Sequence, residues 1–260
     1  MKKTNISALL LAALLLIQLL CAPVSAVTAE PAADAQADAQ TASDNSAGDA
    51  SAEADSVPED QLLSSREQFS VAAKAALLID LNTNRVVYEQ DADERVYPAS
   101  LTKIMTCLIA LENGNLSDVV TVSESALADL DEDSSVAGLV VGEQMTLENL
   151  LYCMMVVSGN DACNVIAEHV AGSVTDFVRM MNQRAYELGC TNTHFNNPHG
   201  LHDESHYTTA RDLAIITQAA LKSENFRQIV DTYEYKLPDD NMRQNIPKLK
   251  TTNMLIYQST

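Results

Sequence analysis

From Leu147 to Val157 the chain has almost nothing polar, and the spacing of Leu150, Leu151, Met154 and Met155 is helical. A helix apolar on every side has no face to offer water, so it predicts a buried helix in the middle of a domain. Thr146-Leu147-Glu148-Asn149 reads as its N-terminal cap. Ser158-Gly159-Asn160 then interrupts the run, and helical spacing resumes from Asn160 to Val170. Polar side chains between two buried helices must find partners or do chemistry, because an unpaired buried polar group is costly.

Around this centre the reading is mixed. Ala75–Asp80 and Arg85–Glu89 alternate like strands on either side of the turn-rich Leu81-Asn82-Thr83-Asn84, which predicts a hairpin. A helix is predicted over Ser100–Leu111, opened after Pro98 and closed by Gly114. Val119–Val122 is a short strand candidate. Further helices are expected over Val174–Leu188 and Ala210–Leu221, with a polar loop over Cys190–Tyr207 between them and no clean period after Tyr233. The order lacks a repeated strand–helix unit and a Gly-rich phosphate loop, which argues against a doubly wound nucleotide fold.

The ends carry other signals. Lys2 and Lys3, the apolar run Ile6–Leu20 and the small residues Val24-Ser25-Ala26 predict a secretory signal peptide over 1–26. The apolar run falls short of the ~20 residues that span a bilayer. Leu20 ahead of Cys21 argues against lipoprotein processing. Residues 27–60 hold nine acidic residues and no Lys or Arg, a composition predicting a disordered, self-repelling tether. Residues 61–260 suit one domain with a sub-domain. The whole chain carries a formal charge of −20, which argues against a nucleic-acid partner. Cys107, Cys153 and Cys163 lie in apolar helical stretches and, with Cys190, fit no zinc spacing. They are expected to be unpaired core residues.

Two short patterns carry chemistry. Ser100 and Lys103, three apart at a helix start, share a face, so the Lys103 amine can approach the Ser100 hydroxyl. Burial would favour the neutral amine, which can then take the serine proton. The Ser100 backbone N–H, at a helix N-terminus, suits a developing oxyanion. Ser-x-x-Lys alone arises by chance, and the bland alternative is a Ser cap with a solvated Lys. The second pattern, Ser158-Gly159-Asn160, has decoys in Ser43-Asp44-Asn45 of the tether and Ser223-Glu224-Asn225, which reads as a helix cap. Only Ser158-Gly159-Asn160 sits between two buried helices.

Ser-x-x-Lys followed by Ser-x-Asn resembles the penicillin-binding protein and serine β-lactamase superfamily. Tyr97-Pro98-Ala99-Ser100-Leu101-Thr102-Lys103, Asn197-Pro198-His199-Gly200-Leu201 and His206-Tyr207-Thr208-Thr209-Ala210 narrow the resemblance to the D-alanyl-D-alanine carboxypeptidases. The resemblance implies an α/β fold of α+β type: a mainly antiparallel sheet flanked by helices, with a helical sub-domain carrying Ser158 and Asn160. It implies Ser100 as nucleophile and acyl-ester site, Lys103 as general base, Ser158 as proton relay and Asn160 as the group orienting Lys103 and substrate. His199 and Gly200 would border the site. The substrate would be a peptidoglycan stem peptide ending in D-Ala-D-Ala, with β-lactams as covalent inhibitors and no cofactor. The enzyme would act outside the cytoplasm, with membrane or wall association through a C-terminal region.

The family's Lys-Thr-Gly is absent from the 260 residues. Lys250-Thr251-Thr252 comes nearest, with Thr252 where the Gly would stand. The expectation is a sequence that stops short of that motif, with an incomplete sheet, and a chain that is inactive and marginally folded. Two further readings stay open: a serine β-lactamase, although no Glu-x-x-Leu-Asn follows Asn160, and a non-catalytic penicillin or cell-wall binder. His194, His199, His202 and His206 cluster beside Asp203 and Glu204, but no His-Glu-x-x-His places them on a helical face, so no metal site is expected.

Overall fold

The computed structural model describes residues 71–128, 130 and 134–253. The signal peptide and tether expected over 1–60 lie outside the described residues. Ala72 to Asn253 falls within one compact unit of the chain.

Two strands open it, β1 (Ala76–Asp80) and β2 (Arg85–Gln90), paired antiparallel. The pairing shifts between Leu78 and Ile79, where Tyr88 and Val86 are the successive partners, so Val87 is an extra, bulged residue. Asp80 Oδ1 accepts the Asn82 and Thr83 N–H groups at 2.8 and 3.0 Å, and Asn84 takes the left-handed φ of +56°. An Asx turn thus does the work that Asn-Gly does elsewhere.

The helix expected from Ser100 begins differently. Ala99–Leu101 forms a 3-10 turn capped at Pro98, and helix α1 runs Thr102–Asn113. Ser100 therefore lies in the tighter turn before the α-helix, with Ala99 at φ +47°. Every residue from Leu101 to Ala110 is buried, Lys103 included. Gly114 ends α1 as expected, in an extended conformation. Its need for glycine is steric, since a Cβ there would stand 2.4 Å from Leu147 Cδ2.

A short strand β3 (Val119–Thr121) pairs antiparallel with β4 (Gln144–Thr146), and the brief helix α2 (Glu124–Ala128) lies between them in sequence. Thr146 caps the apolar helix α3 (Leu147–Val156) by accepting the Asn149 N–H. Helices α4 (Asn160–Ala171) and α5 (Val174–Glu187) follow, the latter capped by Ser173. Helix α6 (Ala210–Ala220) is capped by Thr209, and α7 (Glu224–Val230) by Ser223. A final ribbon pairs β5 (Glu234–Tyr235) with β6 (Leu249–Lys250). The architecture is mixed helix and short antiparallel ribbons, as the fold class expected.

Helix α1 is the hub, in contact with α3, α4, α5, α6 and α7. The core is continuous across them, with Met105, Leu150, Leu151, Ile166, Phe177 and Ile216 among its buried members. Cys107, Cys153, Cys163 and Cys190 are all free and buried in it. The expected polar loop Cys190–Tyr207 is more ordered than a loop: His194 pairs with Tyr207, and Val96 with Thr208, in antiparallel bridges. This ties the segment to the chain just ahead of Ser100.

Candidate active site

Ser100 lies in the 3-10 turn and Lys103 in the first turn of α1, three residues on, so their side chains share one face of the helix start. Lys103 Nζ lies 3.3 Å from Ser100 Oγ. Nζ also donates to Asn160 Oδ1 at 2.7 Å and to the His199 carbonyl oxygen at 2.9 Å. Both of those atoms only accept, so they consume two of the amine's positions. The third faces Ser100 Oγ: a proton when the amine is charged, the lone pair when it is neutral. The side chain is 2% exposed. Burial holds its pKa below the ordinary lysine value, partly opposed by the nearby Asp161 carboxylate.

Ser158 reaches the same hydroxyl, donating from Oγ to Ser100 Oγ at 3.0 Å. It does so from the break between α3 and α4, in a left-handed conformation of φ +60°. A non-glycine residue held there costs of order 1 kcal/mol, and such strain persists only where surroundings enforce it. Gly159 beside it has no room for a side chain: a Cβ would stand 2.8 Å from Asp161 Oδ1 and 3.0 Å from the Cys153 carbonyl oxygen. Asn160 opens α4, with its own N–H bonded to the Ser135 carbonyl at 2.8 Å. The four side chains singled out in the sequence thus converge, with Ser100 Oγ facing both Lys103 and Ser158.

The flanking segment 196–201 forms a wall. His199 contributes its main-chain carbonyl to Lys103. Its imidazole is buried and accepts the Leu201 N–H on Nδ1 at 3.2 Å. Burial and the neighbouring Lys103 depress the His199 pKa to about 4. Gly200 has φ +94° and packs directly on Ala99. Asn197 shapes the turn, accepting the Gly200 N–H at 2.6 Å and donating to the Leu201 carbonyl at 2.9 Å. Thr106 Oγ1 donates to the Pro198 carbonyl at 2.6 Å, fastening this wall to α1.

A cavity of about 150 Å³ opens beside Ser100. Ser100, Lys103 and Ser158 give it a polar edge, while Met155 and Phe226 are among its apolar lining. Thr251 and Thr252 border it too, whereas Lys250 is exposed.

Asp161 was not singled out from the sequence. It is 2% exposed, and its carboxylate accepts four backbone N–H groups: Ala137, Gly138, Leu139 and Ala162, at 2.9 to 3.0 Å. It pins residues 137–139 against the start of α4, next to Asn160. An acidic residue in the first turn of an apolar helix was the available signal. The four histidines turn to separate tasks: His194 Nδ1 bonds the Ser205 carbonyl, and His202 packs edge-on to Tyr97 at 4.6 Å. Among the described residues no group of three His, Cys, Asp or Glu side chains is arranged to hold a metal ion.

Comparison with known proteins places the chain in a family. Residues 62–260 match the peptidase S11 family model, described as D-alanyl-D-alanine carboxypeptidase. The chain is 42% identical over 192 residues to the D-alanyl-D-alanine carboxypeptidase DacF of Bacillus subtilis, covering 71% of this chain and 47% of that protein. It is 41% identical over 196 residues to DacA of Haemophilus influenzae, covering 73% and 48%. The chain thus spans about half the length of these curated relatives. Among solved structures, the Streptomyces K15 DD-transpeptidase superposes with a TM-score of 0.67 at 32% identity, over 74% of this chain and 78% of that one. Penicillin binding protein 5 of Haemophilus influenzae superposes at 0.66 and 34% identity, over 73% and 55%. With its core helices, its serine–lysine pair and this similarity in agreement, the chain belongs to the D-alanyl-D-alanine carboxypeptidase family.

Proposed function

We propose that the protein is a serine-type D-Ala-D-Ala carboxypeptidase. Its substrate is a peptidoglycan stem peptide, from which it removes the terminal D-Ala, and β-lactams acylate the same serine. The observation that carries this reading is the arrangement at Lys103, whose two fixed acceptors leave one position of the amine aimed at Ser100 Oγ. Neutral Lys103 takes the Ser100 proton as the oxygen attacks the penultimate D-Ala carbonyl, and the Ser100 backbone N–H faces the developing oxyanion. Ser158, bonded to the same oxygen, passes a proton to the departing D-Ala amine. Asn160 orients Lys103 and a substrate amide. Water then releases the acyl group from Ser100.

Residues 1–26 direct export, 27–60 act as a tether and 61–260 carry the carboxypeptidase-type domain. The protein works in the cell envelope or beyond it, held at membrane or wall. Support comes from the charged start and apolar run of the leader, and from the acidic composition that follows it. Among the described residues no helix is long and apolar enough to cross a membrane.

The test uses the purified protein. Labelling by a fluorescent penicillin, with the mass increment on the Ser100 peptide, and D-Ala release from a synthetic peptide ending in D-Ala-D-Ala are both expected. Both vanish in Ser100→Ala. Binding of the peptide with neither labelling nor release would make the protein a non-catalytic binder. Rapid turnover of a chromogenic cephalosporin would make it a β-lactamase.

A further inference from the structure

Three residues of α1 fasten it to segment 196–206. Thr106 and Lys103 bond main-chain carbonyls of Pro198 and His199. The third fastening uses the side chain that opens the His206-Tyr207-Thr208-Thr209-Ala210 stretch, which the proposed reaction leaves without a role. His206 is 2% exposed, and its Nε2 lies 2.8 Å from the Oγ1 of fully buried Thr102. Its Nδ1 accepts the Asn196 N–H at 3.0 Å. An accepting Nδ1 places the ring proton on Nε2, so the imidazole donates to Thr102 Oγ1. The Phe195 ring, edge-on at 5.6 Å, fixes the ring plane. The His194–Tyr207 bridge, with N–H···O distances of 2.8 and 3.0 Å, fixes the backbone on both sides. Thr102 is the residue at which the turn bearing Ser100 passes into α1, and its own N–H closes that turn.

We propose that His206 is a positioning residue for Ser100: its Nε2–H holds Thr102, and through Thr102 the turn that aims Ser100 Oγ at Lys103 Nζ. The inference rests on Ser100 being the nucleophile. His206 acts through Thr102 and contacts no reacting atom. The titratable groups facing it are Asp203, His194, His202 and His199 of its own segment, with Lys103 beside Thr102 on α1. Protonation would set a second ring N–H against the Asn196 N–H donor, so this bond pattern requires the neutral ring.

Penicillin acylation rates of the purified protein test the inference, in His206→Leu, His206→Gln, Thr102→Val and the His206→Leu/Thr102→Val pair. The Leu and Val variants should each slow the acylation step about tenfold, the scale of one lost buried hydrogen bond, with noncovalent penicillin affinity unchanged. The pair should be no slower than either single change. Gln offers an N–H to Thr102 and an oxygen to Asn196, and should recover most of the rate. A wild-type rate in His206→Leu, equal slowing by Leu and Gln, or multiplied losses in the pair would overturn the inference. If His206→Leu does not fold, Thr102→Val, which leaves the imidazole in place, decides alone. If the wild-type protein takes no label on Ser100, the proposed function fails separately. Positioning is then read from amide chemical shifts of residues 99–101 in Thr102→Val: a shift at Ser100 supports it, and none overturns it.

Discussion

Gly200 and Ala99 are in such close contact that a Cβ on Gly200 would stand 1.8 Å from the Ala99 carbonyl oxygen. The turn bearing Ser100 and the wall bearing His199 are therefore one packed unit. Gly200→Ala adds a steric overlap to an unfavourable φ of +94°. A loss of about 2–4 kcal/mol is expected in urea unfolding, together with at least a tenfold slower penicillin acylation. An Ala variant as stable and reactive as wild type would show that the wall yields freely.

Acylation should depend on the fraction of neutral Lys103. Burial lowers its pKa, so the acylation rate should climb with pH and level off below ~10.4, the unperturbed lysine value. A pH profile still rising in step with hydroxide past that point would remove Lys103 from the role of base. Lys103→Arg, which stays charged, should abolish acylation at all accessible pH values.

Asp161→Asn replaces a carboxylate that accepts four N–H groups by an amide that turns a donor toward some of them. A cost of about 2–4 kcal/mol is expected in thermal or urea melts. Amide exchange should quicken first at Ala137, Gly138 and Leu139. Unchanged protection there would mean that other contacts hold this loop.

His199 and His206 stay neutral in the folded chain down to about pH 4, because burial opposes the charged form. In the unfolded chain they titrate near 6.5. Between those values the unfolded state binds protons that the folded state refuses, so stability is full above pH ~6.5 and falls as pH drops toward 4. Each buried imidazole accounts for about 3 kcal/mol by pH 4. Urea midpoints measured from pH 7 to 4.5 should fall less steeply in His199→Gln than in wild type. Identical slopes would show that His199 titrates normally.

Arg243 donates to the fully buried Glu143 from Nε at 2.8 Å and to the Gly138 carbonyl from Nη1 at 2.8 Å. Burial already raises the Glu143 pKa. Arg243→Met should cost about 3 kcal/mol by stranding that carboxylate, and Glu143→Gln in the same chain should restore part of it. Additive losses in the double variant would argue against coupling.

Much of this was readable before the structure, and the limits are physical. Helical spacing marked α1, α3, α4, α5 and α6, because buried faces impose a period. Side-chain caps at Thr146 and Ser223 were legible because capping is local. The 3-10 turn at Ala99–Leu101 was not, since it packs against Gly200, a contact a hundred residues apart in sequence. Nor was the pairing of Glu234–Tyr235 with Leu249–Lys250, whose strands are too short to show alternation. The site was half legible. Ser100, Lys103, Ser158 and Asn160 stood out by residue type, whereas the acceptor at His199 is a main-chain carbonyl, which no side chain announces. Asp161 and His206 work through bonds to distant backbone or hydroxyl groups, and sequence spacing is blind to both.

The four core cysteines have one further consequence. Burial raises the Cys107 thiol well above its usual range and pushes those of Cys153, Cys163 and Cys190 up to about 12, so in the folded chain they present no thiolate to an oxidant. Before folding they have no such protection. In oxidising surroundings the chain therefore runs a race in which packing of α1, α3 and α4 must outpace cross-linking. Molecules that lose it would be trapped as scrambled covalent isomers that no later folding step can repair without a reductant.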